Sequence, residues 1–195
     1  MNMDDQTILL YNELEQYIPF NEQEEQDRLL IQKLLREEAD IFGRSNTAHH
    51  MTASAWVVSP DRKQVLMAYH NIYDSWSWLG GHADGEKDLK KVACREVEEE
   101  SGLSHVRLLS DSIFSLEVLT VDGHIKNNRY VSSHLHLNIT YLIEADPAEN
   151  IHIKPDENSR IGWFEKDKAV EASTEPWFRE HIYTKLNAKL AEFKD

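Results

Sequence analysis

Residues 80–103 read GGHADGEKDLKKVACREVEEESGL, and the pattern of this stretch decides how the rest of the chain is read. The pair Gly80-Gly81 and a third glycine at Gly85 make a loop whose backbone can approach a ligand closely. Neither Pro nor Gly falls between Glu86 and Ser101, so the spacing predicts a helix there, stopped by Gly102. On a wheel of ~100° per residue, Leu89, Val92 and Ala93 share one face, and Glu96, Glu99 and Glu100 continue it one turn later. Glu98 points the other way with Lys87 and Lys91, as ordinary solvated charges do. Three carboxylates on one face repel one another, and partly buried they take up protons or need a cation. A divalent metal is the economical answer.

A chain of 195 residues, 41% hydrophobic and 29% charged, is long enough for one domain with a sizeable core and an added helical segment. Its formal charge of −14 argues against a nucleic-acid polymer as partner, since that needs Lys and Arg to displace counterions. A small anionic substrate remains compatible if metals carry it. Cys94 is the sole cysteine, which excludes an intramolecular disulfide and fits a reducing compartment. With no secretory h-region and no run of 18 apolar residues, the expectation is a cytoplasmic protein that does not engage a membrane.

Along the chain, apolar spacing predicts a helix over residues 7–17, interrupted by Pro19, and a second opening at Asn21 with Glu24 as its capping partner. Leu29, Leu30, Leu34 and Leu35 give the second helix its stripe through Ile41, and Gly43 ends it. Residues 1–48 hold eleven acidic and four basic side chains, read as a solvated helical extension. The main domain is expected over residues 49–195. Apolar runs at 52–59 and 64–70 flank Ser59-Pro60-Asp61 as a hairpin. Trp76 and Trp78 are expected to pack rather than stack on a base. Residues 113–121 form a strand, and a polar connection runs from Asp122 to Ser133. In 134–141, His134, His136, Asn138 and Thr140 alternate with Leu135, Leu137, Ile139 and Tyr141, so one face is core and the other meets solvent or a cleft. The two histidines are expected to be hydrated or hydrogen-bonded and are assigned no ligand role. A short strand at 161–164 turns Trp163 inward, and a last helix after Pro176 puts Phe178, Ile182, Leu186 and Leu190 on its inner face.

The stretch resembles the box of the Nudix hydrolases: a glycine, five residues, a glutamate, seven residues, Arg-Glu, an aliphatic, any residue, Glu-Glu, any residue, glycine, aliphatic. Counting from Gly81, Arg95, Glu96, Val97, Glu99, Glu100, Gly102 and Leu103 fall in register. The first glutamate does not: Lys87 holds its position and Glu86 lies one residue early. The resemblance implies an α/β (α+β) fold, an α/β/α sandwich around a mixed sheet, here with an N-terminal helical extension. It implies Mg²⁺ or Mn²⁺ held by Glu96, Glu99, Glu100 and a backbone carbonyl at Gly80 or Gly81, with Arg95 reaching Glu98 or Glu99 to hold the glutamates in place. Catalytic candidates are Glu99, Glu100 and, from the loop before the last strand, Glu157. The implied reaction is water attack at phosphorus on the pyrophosphate of a small-molecule phosphoanhydride of the nucleoside diphosphate-X type. A non-catalytic nucleotide sensor or adaptor is the alternative, and a homodimer is compatible with either. The chain lacks the proline that follows the box in ADP-ribose pyrophosphatases. Cys94 lies off the glutamate face, which argues against an isopentenyl diphosphate isomerase.

Overall fold

The computed structural model describes residues 3–38, 40–126 and 128–194; Met1, Asn2, Ala39, Asn127 and Asp195, which fall in the N-terminal extension, the polar connection and the chain end, lie outside them. Two N-terminal helices come first, α1 (Asp5–Gln16) and α2 (Glu22–Glu37). Asp4 caps α1 by accepting from Gln6 N and Thr7 N, and Asn21 caps α2 by accepting from Glu24 N. Helix α2 ends at Glu37, well before Gly43. Ile41 and Phe42 are nevertheless buried, because the backbone past the helix runs alongside the sheet, Met51 N donating to Ile41 O. The inner stripe is also rotated from the expected one: Ile31 and Leu35 are buried while Leu29 faces solvent.

The sheet is built on two long strands, β1 (His49–Val58) and β9 (His134–Ala145), paired in parallel from His49 against Leu135 to Val58 against Glu144. Between them in sequence come β2 (Gln64–His70), β3 (Ser75–Ser77), β4 (Leu79–His82), the helix α3 (Leu89–Ser101), β5 (Val106–Leu108), β6 (Ser115–Val121), β7 (His124–Lys126) and β8 (Arg129–Val131). Strand β10 (Asn158–Glu165) follows, then α4 (Lys166–Ala172), a π-helical stretch at Phe178–Tyr183, and α5 (Thr184–Glu192). Among the described residues the main sheet has eight strands along the path β10-β2-β1-β9-β5, with β3 on β2, β4 on β1 and β6 on β9. One parallel pair among antiparallel neighbours makes it mixed, as expected. The polar connection after Asp122 contains a small hairpin of its own, β7 against β8.

The period of two in β1 sorts the molecule into layers. Met51, Ala53, Ala55 and Val57 face α3 and the N-terminal helices in one core that includes Leu10, Leu14, Ile31, Leu35, Val92 and Val97. Trp56 and Val58 face the opposite way, into a second core with Ile182, Leu186 and Leu190 of the C-terminal helices. Trp78 packs there too, edge-on to Tyr183 at 5.8 Å, and Trp76 packs against Phe164 at 4.8 Å. The C-terminal helical region is more divided than the sequence spacing predicts, because α4 precedes Pro176 and a π-helical stretch opens the final helix.

Candidate active site

Helix α3 starts at Leu89 with Asp88 as its cap, accepting from Lys91 N, and ends at Gly102, whose φ of 72° is the left-handed stop expected of glycine there. Its inner face carries Leu89, Val92, Ala93 and Val97 into the core. Continuing that face brings Glu96 and Glu100 to 8% and 5% exposure, in a position an apolar side chain would ordinarily fill. The third carboxylate of the stripe, Glu99, lies at the rim with its side chain 46% exposed, so the wheel's common face divides into two buried glutamates and one at the mouth.

The glycine loop is fitted to these carboxylates. Gly80 N donates to Glu100 Oε2 at 3.1 Å. A Cβ at Gly81 would lie 2.5 Å from the Glu96 carboxyl carbon, and one at Gly80 would lie 2.6 Å from Ala53 O. Only glycines let this strand pass between β1 and α3. Arg95 donates to Glu96 Oε1 at 2.7 Å and to His82 O at 3.2 Å, and its Nε lies 3.8 Å from Glu99. The expected bracing role therefore falls on Glu96 and Glu99, and Glu98 is not its partner. Burial raises the pKa of Glu96, and it raises that of Glu100 to about 8 against the opposing Gly80 hydrogen bond. Two carboxyls that resist ionisation where they sit are groups a divalent cation would convert to stable carboxylates.

The loop before β10 closes the other side. Lys154 Nζ donates to Glu99 Oε2 at 3.0 Å and lies 3.1 Å from Glu157 Oε2. Partial burial works against the Lys154 charge, but the two carboxylates outweigh it and hold its pKa above the ordinary range. Asn158 fixes this loop to the helix, its Nδ2 donating to Glu100 O at 3.1 Å and its Oδ1 accepting from Lys154 N. The sequence reading missed Lys154 and Asn158, and a loop lysine and asparagine carry no periodic signal to mark them. Gly81, Glu96, Glu99, Glu100, Lys154 and Glu157 all line one cleft of about 610 Å³.

Glu86, the displaced first glutamate, does not join this group. Its carboxylate accepts from Lys91 Nζ at 2.9 Å and from the backbone N–H groups of Lys87 and Asp88, which braces the start of α3. Lys87, in the register position of the box glutamate, pairs with Asp4 at the head of α1.

The cleft floor is polar and buried. Thr52 and Ser54 hydroxyls donate to Asn138 Oδ1 at 3.0 and 2.9 Å, and Asn138 Nδ2 donates to Glu117 Oε2 at 3.0 Å. Thr140 donates to the same oxygen at 3.0 Å, and Lys185 Nζ sits 2.9 Å from Glu117 Oε1. The alternation in β9 foretold this polar face; Glu117, inside an apolar strand, gave no such sign.

A mixed sheet between helical layers, with a glycine loop laid against two buried glutamates of one helix, defines a class of α+β phosphoanhydride hydrolases. The family model described as NUDIX domain matches residues 48–186, and the chain belongs to the Nudix family. With that membership come pyrophosphate-bond hydrolysis, small-molecule substrates and the family's general use of divalent metal ions. Solved structures of the same fold include a C. elegans Ap4A hydrolase binary complex, 18% identical over 73% of this chain and 98% of that one with a TM-score of 0.54. A Nudix hydrolase from M. smegmatis, RenU, is 14% identical over 75% and 88%, with a TM-score of 0.55. A NUDIX family hydrolase from Clostridium perfringens is 19% identical over 74% and 98%, at 0.51. No curated protein matches the chain.

Proposed function

We propose that the chain hydrolyses the pyrophosphate bond of a nucleoside diphosphate derivative by attack of water at phosphorus, dependent on Mg²⁺ or Mn²⁺. The observation that carries this reading is the pair Glu96 and Glu100, buried side by side against Gly80-Gly81 at the base of a cleft large enough for a nucleotide. The donor set suits the ion: carboxylates and a backbone carbonyl are hard oxygen ligands of the kind Mg²⁺ and Mn²⁺ select. Glu96, Glu99, Glu100 and the Gly81 carbonyl would hold it, and a bound ion supplies screening of the pyrophosphate charge and activation of water.

The chain's own groups do the rest. Arg95 keeps Glu96 oriented through its 2.7 Å hydrogen bond. Lys154 holds Glu99 and Glu157 at either end of one ammonium, which spaces two carboxylates across the cleft mouth and supplies a positive charge to a phosphate. Glu157, half-buried and paired with Lys154, is a base candidate beside Glu99 and Glu100, accepting the proton of the attacking water. We read Glu100, the most buried of them, as a ligand first.

A panel of nucleoside diphosphate derivatives, assayed for nucleoside monophosphate release with and without metal, tests the reading. We expect metal-dependent product with at least one member, and a fall of about 10³-fold or more in kcat for Glu100→Gln at unchanged circular dichroism. Equal turnover by that variant sinks the metal assignment. Saturable binding with no product across the panel makes the domain a nucleotide sensor instead.

A further inference from the structure

A second group of possible ligands lies beside the glutamates and is chemically unlike them. One ring nitrogen from each of His50, His82 and His136 lies within 4.8 Å of one from each of the others. The three ring centroids are 4.9–5.1 Å apart. The sheet register puts them there: in the parallel pair His50 stands opposite His136, and on the other side of β1 Thr52, two residues on and on the same face as His50, stands opposite His82. Three neighbouring strands thus aim three imidazoles at one point from a rigid platform.

The hydrogen bonds fix which nitrogens carry protons. His50 Nδ1 lies 3.0 Å from Asn46 O, a carbonyl that can only accept, so Nδ1 carries the hydrogen and Nε2 keeps a lone pair. That Nε2 has no hydrogen-bond partner although His50 is 4% exposed. His134 Nδ1 lies 2.8 Å from Ser132 O, and His134 Nε2 lies 3.2 Å from His136 Nε2. His134 is therefore the acceptor of that pair, His136 Nε2 is the donor, and His136 Nδ1 keeps the lone pair. Anchoring one ring nitrogen on a carbonyl or a neighbouring acceptor while the other is left as a lone pair is how metal-binding histidines are held. Ring packing alone leaves the buried His50 Nε2 unsatisfied, which a folded core ordinarily avoids.

We propose that His50, His82 and His136 form a second metal site, selective for Zn²⁺ or a similar first-row ion over Mg²⁺ and separate from the glutamate cage. Neutral imidazoles suit such ions, and oxygen-seeking Mg²⁺ avoids them. A tetrahedral Zn²⁺ with bonds of about 2.0–2.1 Å needs its nitrogens about 3.3 Å apart, which the rings reach by side-chain rotation. His82 and His136 line the cleft and His50 does not, so an ion with three protein donors keeps a coordination position reachable by water or a substrate oxygen.

The test uses tag-free, chelator-stripped full-length protein and reads metal rather than activity. Titration with Co²⁺ is expected to give one equivalent of bound ion with visible d–d absorption, displaced by Zn²⁺ and not by excess Mg²⁺. The signal is expected to persist in Glu96→Gln/Glu100→Gln and to weaken at least tenfold in His82→Ala, which changes a half-buried residue at a strand end and spares the core. His136→Asn, checked for fold by circular dichroism, gives an independent second loss. Absence of Co²⁺ and Zn²⁺ binding by the folded protein overturns the proposal, as does loss of the ion in the glutamate variant or its retention at full affinity in His82→Ala.

Discussion

Glu100 makes the stability of the metal-free protein depend on pH in a direction that can be worked out. Its folded pKa of about 8 stands above the ordinary 4.5 because burial disfavours the charge, so the folded state holds a proton that the unfolded chain has released. The contribution is full below about 4.5 and is lost as pH rises through 8. His50 and His136 act oppositely, since burial lowers both below the ordinary 6.5 and protonating them favours the unfolded chain only below that value. Above pH 6.5 the carboxyl acts without that opposition. The unfolding free energy of chelator-treated protein is therefore expected to fall between pH 6.5 and 8, by up to about 1.4 kcal/mol per pH unit, with urea midpoints falling in step and saturating Mg²⁺ at pH 8 restoring them. A midpoint that rises through this window contradicts the buried, protonated Glu100. The residue scale also shows what the box pattern conveys and what it does not. Glu96, Glu100 and both glycines were legible because a helical face and a tight loop constrain residue type. The fate of Glu86 was not, because one residue of slip at the loop sends its carboxylate to Lys91 and the helix start instead of the cleft.

At the scale of elements, α3 was readable through to its glycine stop but not at its start, since the helix opens at Leu89 with Asp88 as its cap and Glu86 and Lys87 lie before it, and the alternation of β9 identified a polar face before its partners were known. Parallel pairing with β1 was hidden, since register between strands so far apart in sequence leaves no periodic trace. The C-terminal boundary of α2 was misread for a related reason: Ile41 and Phe42 are buried by the sheet and not by a helix, and apolar spacing alone cannot separate the two. Helix α2 also carries the least expected feature of the chain: Glu24, whose N–H is the one that the Asn21 cap accepts from, is fully buried. Its carboxylate accepts from Tyr17 Oη at 2.6 Å, Phe20 N at 2.7 Å and Ser115 Oγ at 2.9 Å, and pairs with Lys189 at 3.0 Å and Lys185 at 3.2 Å. Burial opposes its charge, but the two lysines and the hydrogen bonds prevail and keep its pKa below the ordinary carboxylate value. Glu24→Ala leaves two largely buried ammonium groups facing Glu117 alone, and unfolding titrations are expected to show a loss of about 3–5 kcal/mol. A loss under 1 kcal/mol means that water replaces the carboxylate and the network is not structural.

The whole molecule raises the question of whether residues 1–48 are an appendage or part of the folding unit. The family match begins at residue 48, which invites the view that the catalytic domain starts there and stands without the helices. The packing opposes it. Leu14 and Ile31 are at 0% exposure, Leu35 at 1% and Leu10 at 6%, all in the same core as Met51, Ala53 and the inner face of α3. Four such side chains contribute roughly 6–12 kcal/mol of burial, comparable with the entire 5–15 kcal/mol by which a domain is typically stable. Polar ties add to this: Asp27 Oδ2 accepts from Val118 N at 3.1 Å on β6, Lys87 pairs with Asp4, and Glu24 links α2 to α5 through Lys189. Truncation strips cover from the core and leaves Lys185 and Glu117 without the carboxylate that completes their network. We therefore expect the full chain to unfold in one calorimetric transition, its van't Hoff and calorimetric enthalpies agreeing, and the chain lacking residues 1–48 to show no cooperative transition and no near-ultraviolet circular dichroism. A truncated chain that melts cooperatively within a few degrees of the full one demonstrates that the helices are a separable extension, and places the whole stability of the site in the sheet, α3 and the C-terminal helices.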